Sequence, residues 1–258
     1  MNDDKLAFVD PYVYAGSNVL QNNFGIRDQR RLDRIEYILT YGRRIELEQS
    51  PINGPFDFGR LKETHRRLFQ DIYPWAGQPR TVEIRKGDSQ FHTASYIPTA
   101  SAVTFNWLQG SGLLDADVDD ESFVRLSADL LEKINYIHPF REGNGRTQRA
   151  FLDQLAAISG RTLSWRNISY EDHLRASITA FDEGHGDAFR SVIRRALRPP
   201  IDGLSPLDPK PYTVAEPVVE RDDDRLRQAL ADRRRKHPEL FEGEVAEHHS
   251  DAEPEREI

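Results

Sequence analysis

Apolar residues recur at helical spacing along most of the chain before Arg198. Residues 1–27 read as extended, with turn signals at Asp10-Pro11 and Gly16-Ser17-Asn18. Over residues 28–48, Leu32, Ile35, Ile38, Leu39, Ile45 and Leu47 share one face behind Asp28, which is placed to cap a helix. A loop carrying Pro51, Gly54 and Pro55 leads to a second predicted helix, residues 58–72, with Leu61, His65, Leu68 and Phe69 on one side. His65 on that face reads as a packed or surface histidine, not a catalyst. Tyr73-Pro74-Trp75-Ala76-Gly77 breaks the helix. Period-two alternation is confined to residues 80–96: Thr81 to Arg85 alternates, Lys86-Gly87-Asp88 turns and Gln90 to Thr93 returns, which predicts a short hairpin. Further helices are predicted over 98–110, 120–136, 147–159, 169–180 and 187–197. The 120–136 helix carries a core stripe of Phe123, Leu126, Leu130, Leu131 and Ile134, and Arg198-Pro199-Pro200 ends regular structure.

The pattern is thus mainly α with one hairpin, and composition narrows it further. The chain has 258 residues, 38% hydrophobic and 30% charged, enough for one good core and an appendage. No run approaches the ~20 apolar residues of a membrane span, and MNDDKLAFVD lacks the basic start and apolar stretch of a secretory signal. The absence of cysteine excludes disulfides and thiolate metal sites and fits a reducing cytoplasm. Residues 201–258 hold 16 acidic and 9 basic residues, so most of the net charge of −8 lies there. The remainder is near neutral, without the basic patch that nucleic-acid binding requires. Residues 1–198 are therefore read as one domain. Residues 199–258, rich in proline and then acidic, are read as a mostly disordered tail. Leu226, Ala229 and Leu230 mark one short helix there, too short and polar to stand alone.

Chemistry concentrates in IHPFREGNGRTQR, residues 137–149. It offers a base (His138), an acid (Glu142), a glycine-flanked turn (Gly143, Asn144, Gly145) and two arginines (Arg146, Arg149) at i, i+3. A glycine-rich turn opening into a helix aims backbone N–H groups along the positive end of the helix dipole, which suits a phosphate. The pattern points to phosphate held by N–H groups and arginines, a carboxylate for a divalent cation, and a histidine beside phosphorus.

The stretch resembles the H-x-F-x-[D/E]-G-N-G-R-x-x-R motif of Fic-domain proteins at every position: His138, Phe140, Glu142, Gly143, Asn144, Gly145, Arg146 and Arg149. Asn18-Val19-Leu20, the Leu32 to Glu36 helix, Leu68 to Gly77 and the hairpin ending at Phe91 are also similar to that family, which extends the likeness to roughly residues 12–197. The resemblance implies a Fic-type helical bundle with a β-hairpin flap over the active site, and transfer of AMP from ATP to a protein hydroxyl. By position it implies His138 as general base, Glu142 as the Mg²⁺ ligand, Gly143, Asn144 and Gly145 as an anion hole, and Arg146 and Arg149 on the β- and γ-phosphates. Phe140 would anchor the loop, and Lys86 in the flap would lie near nucleotide and target. The target would add as a strand along the exposed flap edge.

Many Fic proteins carry an inhibitory [S/T]-x-x-x-E-[G/N] helix. The literal match Thr179 to Gly184 is expected instead to join two core helices, and residues 1–120 contain none. The chain therefore resembles the toxin type whose inhibitory helix lies on a separate small antitoxin, or a secreted effector fragment delivered into another cell. Two alternatives stand: another phosphoryl or nucleotidyl transfer on the same fold, and a non-catalytic nucleotide- or partner-binding module. Gly145 argues against the kinase-like variant, which has lysine there, and His138 argues against pure binding.

Overall fold

A computed structural model of the chain describes residues 10–86, 89–198 and 224–236. Within them the helices are α1 (Gln29–Gln49), α2 (Phe58–Phe69), α3 (Ile97–Gly110), α4 (Asp120–Ile137), α5 (Asn144–Ile158), α6 (Tyr170–Glu183), α7 (Asp187–Ala196) and α8 (Asp224–Lys236). Their starts follow capping chemistry. The side chains of Asp28, Asp57, Asp119 and Ser169 accept from the backbone N–H groups of Arg31, Arg60, Ser122 and Asp172 respectively, at 2.8–3.0 Å. The mainly α class expected from periodicity is the observed one.

Two buried clusters hold these helices together. One gathers the stripe of α4 with Phe105 and Leu108 of α3, Phe151 and Leu155 of α5, and Phe189 and Ile193 of α7. The other gathers Leu32, Ile35 and Leu39 of α1 with Leu68 and Phe69 of α2, Ile72 and Tyr73. Phe151 and Leu155 thus lie in the first cluster while Ala150 lies in the second, so α5 bridges both. Ile158, placed on the apolar face by spacing, is 42% exposed at the helix end.

The hairpin forms, but with a shorter ladder than alternation predicts. β1 (Arg85–Lys86) pairs antiparallel with β2 (Ser89–Gln90), in the register Arg85↔Gln90 and Lys86↔Ser89. Just below the ladder one longer bond still crosses the hairpin, from Phe91 N–H to Ile84 O at 3.4 Å; farther down, Val82 and His92 give their carbonyls to Arg80 and the His92 N–H donates to Tyr136 O at 3.2 Å. A second ladder, absent from the expectation, joins β3 (Thr162–Leu163) to β4 (Leu197–Arg198) antiparallel. Two-residue strands are too short to show alternation, and this pair closes the chain of helices by tying α5's exit to α7's end.

The helix expected near Leu226 is α8, and it does not stand alone. Arg233, 4% exposed in its side chain, reaches Glu46 Oε1 at 3.0 Å and Asp71 Oδ2 at 3.3 Å, and Lys236 reaches Glu46 at 3.3 Å. Ala229 rests on the α1 cluster. The rest of the segment read as disordered lies outside the described residues. Arg233 fits because Gly42 of α1 has no side chain: a Cβ there would sit 2.2 Å from Arg233 Cδ. Gly→Ala inside a helix ordinarily gains ~0.5–1 kcal/mol. Here Gly42→Ala is expected to expel Arg233, so hydrogen exchange of residues 224–236 should speed up while protection of α4 and α5 is retained. Unchanged exchange over 224–236 would show that α8 docks without Arg233.

Candidate active site

The motif occupies the turn from α4 into α5. α4 ends with His138 as its C-cap, at φ 46° and ψ 64°, the single non-glycine residue with positive φ among the described residues. Left-handed backbone at a non-glycine residue costs ~1–3 kcal/mol and persists where surroundings impose it. The imposing contacts are on both sides. His138 N–H donates to Ile134 O at 2.9 Å, and His138 O accepts from Arg80 Nε at 2.8 Å. The imidazole, 4% exposed with its residue, stacks on Phe91 of the flap at 3.8 Å and 17°. Its Nδ1 lies 3.3 Å from Asn135 O, a group that can only accept. Nδ1 therefore carries the proton, which leaves the acceptor lone pair of the neutral ring on Nε2.

α5 begins at Asn144, three positions before the periodicity places it. Gly145 and Arg146 consequently lie in its first turn, where N–H groups have no intrahelical acceptor and the dipole is positive. Gly143 caps the helix at φ 80°, and a Cβ there would lie 2.2 Å from Phe69 Cζ. Its need for glycine thus arises from the Phe69 ring beneath as well as from backbone shape. Asn144 spends its side chain on the loop itself: Oδ1 accepts from Phe140 N–H and Nδ2 donates to Phe140 O, both at 2.9 Å. Only its backbone N–H is left to serve an anion. Phe140, at 1% exposure, is the inward anchor that was expected.

Glu142 Oε1 accepts from Gly143 N–H at 2.9 Å and lies 3.7 Å from Arg146 Nη2. Arg146 also bonds Glu36 of α1, and its guanidinium carbon sits 4.7 Å above the Phe69 ring. Arg149, one turn on, has different neighbours: its charge acts on Asp153 and on His173 of α6. Burial raises the Asp153 carboxyl, against Arg44 at 2.9 Å and Trp165 Nε1 at 2.7 Å. The structure therefore brings His138, Glu142, Gly143, Asn144, Gly145 and Arg146 into one turn with Arg149 one helical turn beyond. Lys86 belongs to β1, and its side chain lies outside the description.

Several residues that shape the site were not singled out from sequence. Glu36 is the one acid among the buried residues of α1, set between Ile35 and Ile38, and a buried carboxylate demands a partner. That was the available signal. It takes Arg146 and the hydroxyl of Tyr73, whose phenol is pushed well up by burial and by the Glu36 charge. Arg80 gave no such signal, because it opens the segment read as the hairpin, where an arginine is ordinarily a solvated residue. Thr179 to Gly184 forms the end of α6 and its glycine cap, with Glu183 3.6 Å from His185, so the helix-junction reading holds.

His65 proves fully packed. Gly77 N–H donates to its Nδ1 at 2.7 Å, so Nε2 carries the proton and donates to Glu142 O at 3.0 Å. Its ring stacks on Phe140 at 3.9 Å and Phe69 at 4.7 Å. Burial lowers its pKa from 6.5 to about 3, and His173 is lowered to about 3 in the same way. The unfolded chain then binds more protons than the folded one between about pH 3 and 6.5. Stability is full above that window and is lost as pH falls through it, by up to ~1.4 kcal/mol per pH unit for each such histidine. Denaturant unfolding across pH 4–6.5 should therefore have a shallower slope in His65→Gln than in the wild type, whatever the mutant's absolute stability. Equal slopes would mean that His65 is not held neutral.

Comparison with known proteins agrees with this geometry. Residues 55–156 match the Fic/DOC family. The chain is 37% identical over 189 residues to the protein adenylyltransferase VbhT of Bartonella schoenbuchensis, covering 73% of this chain and only 39% of that protein. It is 36% identical over 188 residues to the probable protein adenylyltransferase Fic of Salmonella typhimurium, covering 73% of this chain and 92% of that one. The N-terminal Fic domain of a putative cell filamentation protein from Bartonella quintana, solved with bound ADP, is similar in structure with a TM-score of 0.68 at 26% identity, covering 73% and 95% of the two chains. With the whole motif in one turn and nearly the full Salmonella relative spanned, the chain belongs to the Fic/DOC family.

Proposed function

We propose that the chain is a protein adenylyltransferase that moves AMP from ATP to a hydroxyl side chain of a target protein. The observation that carries this reading is the single turn on which an oriented imidazole, a carboxylate and the positive end of α5 meet. The names of the Bartonella schoenbuchensis and Salmonella relatives, and the ADP in the Bartonella quintana domain, support it.

In this reading the nucleotide phosphates lie against the backbone of Gly143, Asn144 and Gly145, with Arg146 and Arg149 on the β- and γ-phosphates. His138 Nε2 takes the proton of the incoming hydroxyl. The hydroxyl oxygen bonds to the α-phosphorus, the bond from that phosphorus to the bridging oxygen breaks, and pyrophosphate leaves with the electron pair. Arg146, held by Glu36, needs little reorganisation to meet the charge on the leaving group. Glu142 fits Mg²⁺ as a hard, part-exposed oxygen donor, and no group of three or more metal-ligating side chains occurs among the described residues. A cation there would be completed by phosphate oxygens and water, and when bound it would neutralise phosphate charge.

The target is proposed to add along an outer edge of the two-stranded flap. The regulator is proposed to be a separate small antitoxin carrying the Ser/Thr-x-x-x-Glu helix, which makes this chain the toxin of a pair. A secreted effector fragment is the second form of the same reading, favoured by the translocated-effector identity of the Bartonella quintana protein. No described helix is long and apolar enough to cross a membrane, and the site of action is proposed to be cytoplasmic.

Label should pass to protein from α-labelled ATP and not from γ-labelled ATP. His138→Ala should lower that transfer by ~10²–10⁴ while ATP affinity stays within a few-fold, since the base acts on the hydroxyl and not on the nucleotide. Transfer of the γ-label would replace the proposal with phosphotransfer, and binding without any transfer would make the chain a nucleotide-binding module.

Glu183 lies at the α6–α7 junction, facing His185. Glu183→Gly is therefore expected to change self-labelling by less than about threefold, under ~0.7 kcal/mol on the barrier. A rise of tenfold or more, measured with no second protein present, would make the chain self-inhibited.

A further inference from the structure

Arg80 is the largest of the fully buried side chains, at 2% exposure, and the proposed chemistry leaves it unused. Its guanidinium donates to four backbone carbonyls. Nη1 reaches Val82 O at 2.7 Å, Nη2 reaches His92 O and also Ile137 O at 3.3 Å, and Nε reaches His138 O at 2.8 Å. Its own backbone N–H donates to Pro139 O at 2.8 Å. Val82 and His92 are the two legs of the flap below its ladder, and Ile137 and His138 end α4. One side chain therefore ties the hairpin that covers the site to the backbone of the motif histidine.

Arginine suits this place and lysine does not. A planar fork with five N–H donors can serve four carbonyls in fixed directions, whereas an ammonium is a single point charge on a flexible stem. The guanidinium also sits at the negative end of the α4 dipole, where cations are favoured. The nearest carboxylate, Glu83 Oε2, is 3.9 Å away and half exposed, so carbonyl dipoles do most of the neutralising. The flap leg beyond His92 carries Phe91, whose ring stacks on His138. Backbone and ring of the histidine are thus both referenced to the flap.

We infer that Arg80 is a positioning residue for group transfer: it fixes the flap to His138 so that a hydroxyl presented on the flap arrives at the imidazole. This rests on the adenylyl-transfer reading above. It predicts that loosening the tie harms transfer to a protein hydroxyl, which the flap must deliver, more than transfer to water, which needs no delivery.

The test is Arg80→Lys in the full chain, incubated with α-labelled ATP. Label in protein and label released as free AMP are counted separately, and ATP affinity is measured by calorimetry. Expected are ATP affinity within threefold, AMP release to water lowered by less than about threefold, and self-labelling lowered by at least about tenfold, in keeping with the cost of a misplaced reactant. Equal losses in both outputs, or none, would overturn the inference and leave Arg80 as a packing residue. A wild type silent with α-labelled ATP would instead overturn the adenylyl-transfer reading itself. Hydrogen exchange of the wild type gives a check that does not depend on the mutant folding. The amides of Phe91, His92 and His138 should open together as one unit, and flap amides exchanging orders of magnitude faster than His138 would also overturn the tie.

Discussion

Burying a polar turn is the constraint on which the site depends. Between α4 and α5 the chain presents carbonyls at Ile137, His138, Pro139, Phe140, Glu142 and Gly143. Arg80 serves the first three, Asn144 the fourth, His65 the fifth and Thr147 the last. Each buried acceptor left unmet would cost ~1–3 kcal/mol, so the loop has little room to relax. A turn held in this way keeps its N–H groups and its imidazole aimed before any ligand arrives, which is the preorganisation that electrostatic catalysis requires.

Charge is arranged around that turn in layers. The negative end of α4 meets the Arg80 guanidinium, and the positive end of α5 meets the Glu142 carboxylate. Arg146 lies between Glu36 and Glu142 with Phe69 beneath it, so its position is set before it meets a phosphate. His65 is kept neutral by burial, which lets it bridge Gly77 and Glu142 without adding a charge under the site. Phe69 serves twice, as the floor for Arg146 and as the surface that bars any side chain at position 143.

The helices, their caps and the motif turn were legible from sequence because the interactions that define them are local. An i, i+3, i+4 stripe, a capping aspartate and a Gly-Asn-Gly run act within a few residues of themselves. The same locality explains the two readings that shifted. α5 starts earlier than its apolar stripe because glycine and asparagine carry no hydrophobic signal. The hairpin ladder is shorter than its alternation because, below one longer bond from Phe91 N–H to Ile84 O, Arg80 and α4 claim the backbone groups that would have extended it.

What the tertiary structure alone decided is who meets whom across long separations. Arg80 and His138 are 58 residues apart in the chain, His65 and Glu142 are 77, and Glu36 and Arg146 are 110. No periodicity records such pairings, since each residue's own neighbourhood only states that a polar group faces inward. The α8 helix makes the same point. Its composition promised no stability alone, and its partner is a space left by Gly42 on α1. Sequence by itself determined the elements and the chemistry on offer, because those are set by local spacing and residue type. The packing of distant elements determined which tautomer, which arginine and which carbonyl each group would have, because burial obliges every polar atom to find a partner wherever the fold has placed one.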